Sequence, residues 1–176
     1  MKIASPDENG EGEICVRGAN VMLGYFENEE ATKDAFDEEG YFKTGDLGKI
    51  DSEGWIYITG RSKNLIILSN GKNVYPEELE CELSRIYGVA EAVVYEGESR
   101  TDASLELIVA EIFPDEEALE LRGIVEKEKY FNDEVAKINA RVAPYKKIGL
   151  VKLRDTEFKK TTTRKITRFS IDKTID

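Results

Sequence analysis

Polar and apolar positions along the chain predict a series of short strands, then helices alternating with longer strands. Residues 13–18, Glu-Ile-Cys-Val-Arg-Gly, alternate with the period of a half-buried strand. Apolar stretches at 47–50 and 55–59 flank Asp51-Ser52-Glu53-Gly54 and predict a hairpin. Asn28 is placed to cap a short helix running to about Phe36, and residues 1–12 are dense in turn formers and predict a loop. The apolar run 65–68 predicts a strand that enters a polar turn at Gly71. Leu79, Leu83, Ile86 and Tyr87 form one stripe of an amphipathic helix over 76–87. Pro76 suits its first position, Glu77 and Glu78 favour the positive end of its dipole, and Gly88 stops it. Residues 89–95 and 104–113 predict two strands paired antiparallel across a polar loop. Asp115 caps a helical region reaching about Val142, broken near Gly123 or Asn132 and ended by Pro144. A last strand covers 147–153, and 155–168 is a basic, threonine-rich loop without apolar period. No internal repeat is evident.

These elements define an α+β chain in two parts. Residues 1–60 are turns and hairpins with little room for a core, so they read as the tail of a larger domain. Residues 61–176 have the make-up of a small domain, an antiparallel sheet flanked by helices. Composition narrows the function. With 25 basic and 36 acidic residues the net charge is −11, which argues against nonspecific nucleic-acid binding and against docking on an anionic membrane. No apolar run suits a transmembrane segment, and no signal-peptide pattern opens the chain. Two cysteines, Cys15 and Cys81, form no C-x-x-C pair, so a reduced, cytoplasmic setting is expected, with Cys81 a packing residue of its helix. The absence of histidine removes imidazole acid–base catalysis and most zinc sites, and no metal site is expected.

Three stretches carry candidate chemistry. The first is Tyr41-Phe42-Lys43-Thr44-Gly45-Asp46. The second runs Gly60-Arg61-Ser62-Lys63-Asn64, through the apolar strand, to Ser69-Asn70-Gly71-Lys72-Asn73-Val74-Tyr75-Pro76-Glu77-Glu78. The third is Phe158-Lys159-Lys160-Thr161-Thr162-Thr163-Arg164-Lys165-Ile166-Thr167-Arg168. Taken singly each has a plain explanation: a strand-edge turn, a surface ion pair, a β-to-helix loop, a solvated basic tail. Their order and spacing together resemble the adenylate-forming enzymes, the group of acyl-CoA synthetases, luciferases and peptide-synthetase adenylation domains. The wording around Asn73 to Glu78 is most like fatty-acyl-CoA ligases.

That resemblance implies roles. Asp46, in the Y-x-x-T-G-D segment with Thr44, would accept hydrogen bonds from the ribose hydroxyls, as an acceptor-only carboxylate can. Arg61 would bring a fork of donors to the ribose or phosphates. Lys63 stands at the inter-domain hinge. Gly71 and Lys72 would line the CoA channel, with glycine allowing close backbone approach. Lys165 aligns with the catalytic lysine, followed by matching Ile166 and Arg168; Lys159 and Arg164 replace a proline and a glycine. ATP, CoA and Mg2+ would be the cofactors and a carboxylic, fatty acid the substrate. The Ser/Thr/Gly-rich ATP loop of the family is absent, as is any Walker-type motif. The chain is therefore expected to be the C-terminal part of an ATP-dependent acyl-CoA synthetase, inactive by itself. A free-standing, non-enzymatic lid that completes a partner chain is the alternative.

Overall fold

A computed structural model describes residues 1–102, 105 and 107–175, and the chain divides into two compact units, Met1–Leu65 and Ile66–Asp176.

The first unit is a four-stranded sheet in the order β1 (Lys2–Ala4), β2 (Gly12–Val16), β3 (Phe42–Ile50), β4 (Ile56–Arg61), with all neighbours antiparallel. The strand β1 stands where turn formers had predicted only loop; three residues are too few to show a period. Helix α1 (Glu29–Ala35) starts where expected, because Asn28 Oδ1 accepts the Ala31 amide at 3.0 Å. Its core is small. Ile14, Cys15 and Leu47 are buried, while Trp55, Ile56, Tyr57 and Ile58 are exposed. Burial pushes the Cys15 thiol above its ordinary range, which suppresses the reactive thiolate.

The second unit opens with a short ladder, β5 (Ile66–Ile67) against β6 (Asn73–Val74), and helix α2 (Pro76–Leu83). The sheet β7 (Val89–Gly97), β8 (Leu107–Pro114), β9 (Leu150–Leu153) follows. The strands β7 and β8 are antiparallel as expected, but β9 runs parallel to β8. A parallel neighbour needs a long crossover, supplied here by α3 (Glu116–Leu121) and α4 (Lys127–Asn139). The expected single helical region is broken at Gly123 (φ +66°), whereas Asn132 sits inside α4 and donates to Glu128 O at 2.8 Å. Helix α4 ends at Asn139, whose amide donates to Ile148 O and accepts the Ile148 N–H, pinning the lead-in to β9. Ser104, expected to begin a strand, lies outside the described residues.

Strand alternation gives the sheet two covered faces. On one, Val94, Ala110 and Ile112 meet Leu79, Leu83, Leu119, Phe131, Val135 and Ile138 of the helices. On the other, Val93, Tyr95 and Val109 meet Phe158, with Ile166, Ile171 and Ile175 packed alongside. The threonine-rich segment expected as a plain loop thus lies against the sheet through two widely spaced apolar side chains, Phe158 and Ile166, and the residues after it through Ile171 and Ile175. Cys81 is exposed, not a packing residue, and α2 ends at Leu83, so Ile86 and Tyr87 follow the helix in turns. Among the described residues, no helix is long and apolar enough to cross a membrane.

Candidate functional site

The seven candidate residues fall in both units. Thr44, Asp46, Arg61 and Lys63 belong to the first; Gly71, Lys72 and Lys165 belong to the second.

In the first unit, β3 carries Thr44-Gly45-Asp46 past two backbone anchors. Thr44 Oγ1 donates to Ile14 O at 2.8 Å and accepts the Asp46 N–H at 3.1 Å. The Gly45 amide donates to Glu13 Oε1 at 2.9 Å, and Gly45 takes a φ of +72°, where a side chain would be strained. Asp46 is thereby fixed opposite Arg61 on β4, with Nε 2.8 Å from Oδ1. The guanidinium is half exposed and the carboxylate about one-third exposed, so the pair adds at most about 1 kcal/mol to stability. Its value is positional. Oδ1 is held by Arg61, and Oδ2 accepts no hydrogen bond from the described residues, which suits a carboxylate meant for ligand hydroxyls. Lys63, exposed, sits in a single 3-10 turn, Ser62–Asn64, that follows extended Arg61.

In the second unit, Gly71 and Lys72 lie in the β5–β6 turn. Gly71 donates to Leu68 O at 2.8 Å, Leu68 N–H donates to Lys72 O at 3.0 Å, and Gly71 has a φ of +74°. This is a type I turn closed by a residue in the left-handed region. Loops with the same two backbone bonds close at Gly10, Gly40 and Gly54.

Lys165 stands in a fifth loop of this build. Thr161 N–H donates to Lys165 O at 2.8 Å, Arg164 N–H donates to Thr161 O at 2.9 Å, and a bridge pairs Lys160 with Ile166. Here the left-handed position holds Arg164, at φ +62°. The loop keeps the backbone form that glycine favours, at a cost of about 1–2 kcal/mol for a residue with a Cβ. Ile166, one step on, packs into the sheet's second face, and Lys165 stays exposed.

The far end of this loop is locked by Arg168. Its Nη2 lies 2.5 and 2.6 Å from the two Glu80 oxygens, and its Nη1 donates to Val94 O at 3.0 Å. Glu80 Oε1 also accepts the Val94 N–H at 2.7 Å. Burial pushes the Glu80 carboxyl above its ordinary range, and Arg168 with the Val94 amide draws it part of the way back. The guanidinium fork therefore ties α2, β7 and the lysine loop together. Sequence reading gave Arg168 no role beyond a motif match and missed Glu80 and Glu13. The available signal was Glu80 itself, a carboxylate next to buried Leu79 on α2, which needs a partner to be tolerated there.

The first unit thus presents a carboxylate–arginine pair with an open carboxylate oxygen, and the second an exposed lysine on an anchored loop. Comparison with known proteins supplies the class. No family model matches. A long-chain-fatty-acid–CoA ligase of Gallus gallus is 51% identical over 78 residues, 44% of this chain and 10% of that protein. A probable 4-coumarate–CoA ligase of Dictyostelium discoideum is 48% identical over 101 residues, 53% of this chain and 18% of that protein. Among solved structures, o-succinylbenzoate CoA synthetase from Bacillus subtilis, bound to its acyl-adenylate intermediate, superposes with a TM-score of 0.76 at 31% identity, over 96% of this chain and 32% of that one. ATP-bound MatB from Rhodopseudomonas palustris gives 0.76 at 29% identity, over 97% and 33%. The chain's homologues are thus acyl-CoA and 4-coumarate–CoA ligases and its structural relatives are adenylate-forming enzymes. It spans 10 to 18% of these curated relatives and about a third of these solved ones.

Proposed function

We propose that the chain is the C-terminal part of an ATP-dependent acyl-CoA synthetase. Residues 1–60 are the end of a large adenylation domain, Arg61 stays with them through its pair to Asp46, and the remainder of residues 61–176 is a mobile lid that turns about Lys63. In the intact enzyme a carboxylate oxygen, from a fatty acid as the ligase relatives suggest, attacks the α-phosphorus of ATP. The bond from that phosphorus to the bridging oxygen of the β-phosphate breaks, and pyrophosphate leaves with the electron pair. The CoA thiolate then attacks the acyl carbon of the adenylate, and AMP leaves with the C–O electron pair. Lys165 meets the charge that builds on the α-phosphate, a task of positioning and electrostatics. Asp46 receives the ribose hydroxyls, held for them by Thr44 and Arg61. Gly71 and Lys72 line the path of CoA. Mg2+ enters as the counter-ion of the ATP phosphates, and a cytoplasmic location goes with ATP and CoA as substrates. Alone, the chain catalyses no ligation.

The observation that carries this reading is Lys165, exposed in the bulge of a loop whose far end is clamped by Arg168 and Glu80. The test is Lys165→Ala in the intact enzyme. Acid-dependent pyrophosphate exchange falls by at least about 100-fold, the size of a lost charge-stabilising donor, while thioester formation from preformed adenylate persists. Equal loss of both half-reactions contradicts the assignment.

A further inference from the structure

We infer that Arg164 is a second phosphate-binding cation beside Lys165, taking the pyrophosphate end of the nucleotide. The inference rests on the reading of Lys165 above and adds a residue to it.

Two independent observations carry it. The first is backbone conformation. Among the described residues, five loops share one construction, a 4→1 bond closing a turn and a second bond to the next residue. Four of them place glycine at the left-handed position: Gly10, Gly40, Gly54 and Gly71. Only the lysine loop places a long side chain there, Arg164. Glycine takes this conformation without strain, so arginine is held against a conformational preference that the other four loops obey, although Ser5 and Glu27 also take positive φ elsewhere among the described residues.

The second observation is charge. The C-terminal segment is pinned to the sheet and to α2 by paired cations: Arg154 to Glu111, Lys160 to Glu91, Arg168 to Glu80 and Lys173 to Glu98. Interleaved with these, Lys159, Arg164 and Lys165 are exposed, and among the described residues their side chains meet no carboxylate. In a chain with an excess of 11 acidic charges, three cations without a carboxylate partner on and beside one small loop form a local positive patch that suits an anion from outside. The two adjoining cations differ in kind. Lys165 offers a compact charge suited to one phosphate, and Arg164 a planar fork able to grip oxygens of two neighbouring phosphates. The G1-type bulge sets both opposite Thr161, out of strict strand alternation. The ligand chemistry is therefore a polyphosphate of high charge density, and between the two candidate sources we assign the triphosphate of ATP, not the diphosphate and 3′-phosphate of CoA.

The test uses the full 176-residue chain, isotope-labelled, titrated with inorganic pyrophosphate and separately with CoA at about 50 mM salt. Amide signals of residues 161–166 report binding, and thermal unfolding is followed alongside. Wild type responds to pyrophosphate more tightly than to CoA. Arg164→Gly binds pyrophosphate at least fivefold more weakly yet unfolds at a higher temperature, because strain is relieved; a purely structural role moves both in one direction. Arg164→Lys retains most of the affinity, and all differences shrink at about 200 mM salt. Unchanged pyrophosphate affinity in Arg164→Gly overturns the inference; if Lys165→Ala still weakens binding, the role of Lys165 survives that failure. A loop that ignores pyrophosphate, or prefers CoA, also overturns the assignment of Arg164, while the half-reaction test of Lys165 stands apart from it.

Discussion

Asp46 and Glu80 show how the same side-chain chemistry serves opposite ends. Asp46, about one-third exposed, keeps one oxygen on Arg61 and one open, so its pairing orients without consuming it. Glu80 is less exposed and both of its oxygens are engaged, Oε1 by Arg168 and the Val94 amide and Oε2 by Arg168. Removing one member of such a pair leaves the other partly buried and unmatched. Glu80→Gln should therefore destabilise the second unit by about 1–3 kcal/mol, read by urea unfolding. The sign of its pH dependence follows from its raised folded value. The folded state holds this proton more tightly than the unfolded chain, so Glu80's contribution to stability declines as pH rises from the ordinary glutamate value through the folded one, then levels off. Glu80→Gln removes that slope; a slope that survives the substitution would assign it to another group. In the intact enzyme, Arg168→Lys should lower the adenylation rate about tenfold with the KM for CoA unchanged, because a point charge cannot reproduce the fork that fixes the lysine loop.

At the scale of elements, the recurrent D-x-x-G loops organise the first unit. Asp51 Oδ1 accepts the Glu53 and Trp55 amides, each at 2.9 Å, and Asp37 Oδ1 accepts those of Glu39 and Tyr41. The Trp55 amide holds the Asp51 carboxyl below its ordinary range, and Lys2 with the Tyr41 amide does the same for Asp37. Lowered carboxyls stabilise above their unfolded values and lose that support as pH falls through the folded ones. Trp55, the only tryptophan, should report an acid transition below about pH 3.8, and Asp51→Asn should flatten it. A transition unchanged in the variant would show that this loop does not govern acid unfolding. These loops, the hairpin and α1 were legible because turn chemistry is local: Asp, Gly and an Asn cap announce themselves within five residues. What was not legible depends on distant partners. Strand β1 is too short for a period, α2 stops at Leu83 although its stripe continues to Tyr87, and β9 runs parallel because of a crossover that no local pattern encodes. The 155–168 segment read as a solvated loop because its anchors, Phe158 and Ile166, are eight residues apart with no helical or strand period between them. Lys165, Asp46 and Arg61 could be singled out from motif wording alone. The partner that makes the motif rigid, Glu80, lies 88 positions from Arg168 and could not be read from spacing.

At the scale of the whole chain, the account assigns one polypeptide to two half-reactions. Asp46 and Arg61 sit on a sheet with a small core and exposed Ile56 and Ile58, a surface that suits the end of a larger domain. Lys165 sits in a unit covered on both faces of its sheet. Lys63 precedes the division between the units, in a three-residue turn that leaves the extended backbone of β4. A hinge there must sample more than one backbone state, which proline forbids by fixing φ. The most direct test measures both half-reactions, side by side, in the intact enzyme carrying Lys165→Ala or Lys63→Pro. The account predicts a crossed pattern: Lys165→Ala loses acid-dependent pyrophosphate exchange and keeps thioester formation from preformed adenylate, while Lys63→Pro keeps exchange and loses thioester formation. Loss of the same half-reaction in both variants, or equal loss of both halves in either, would contradict it.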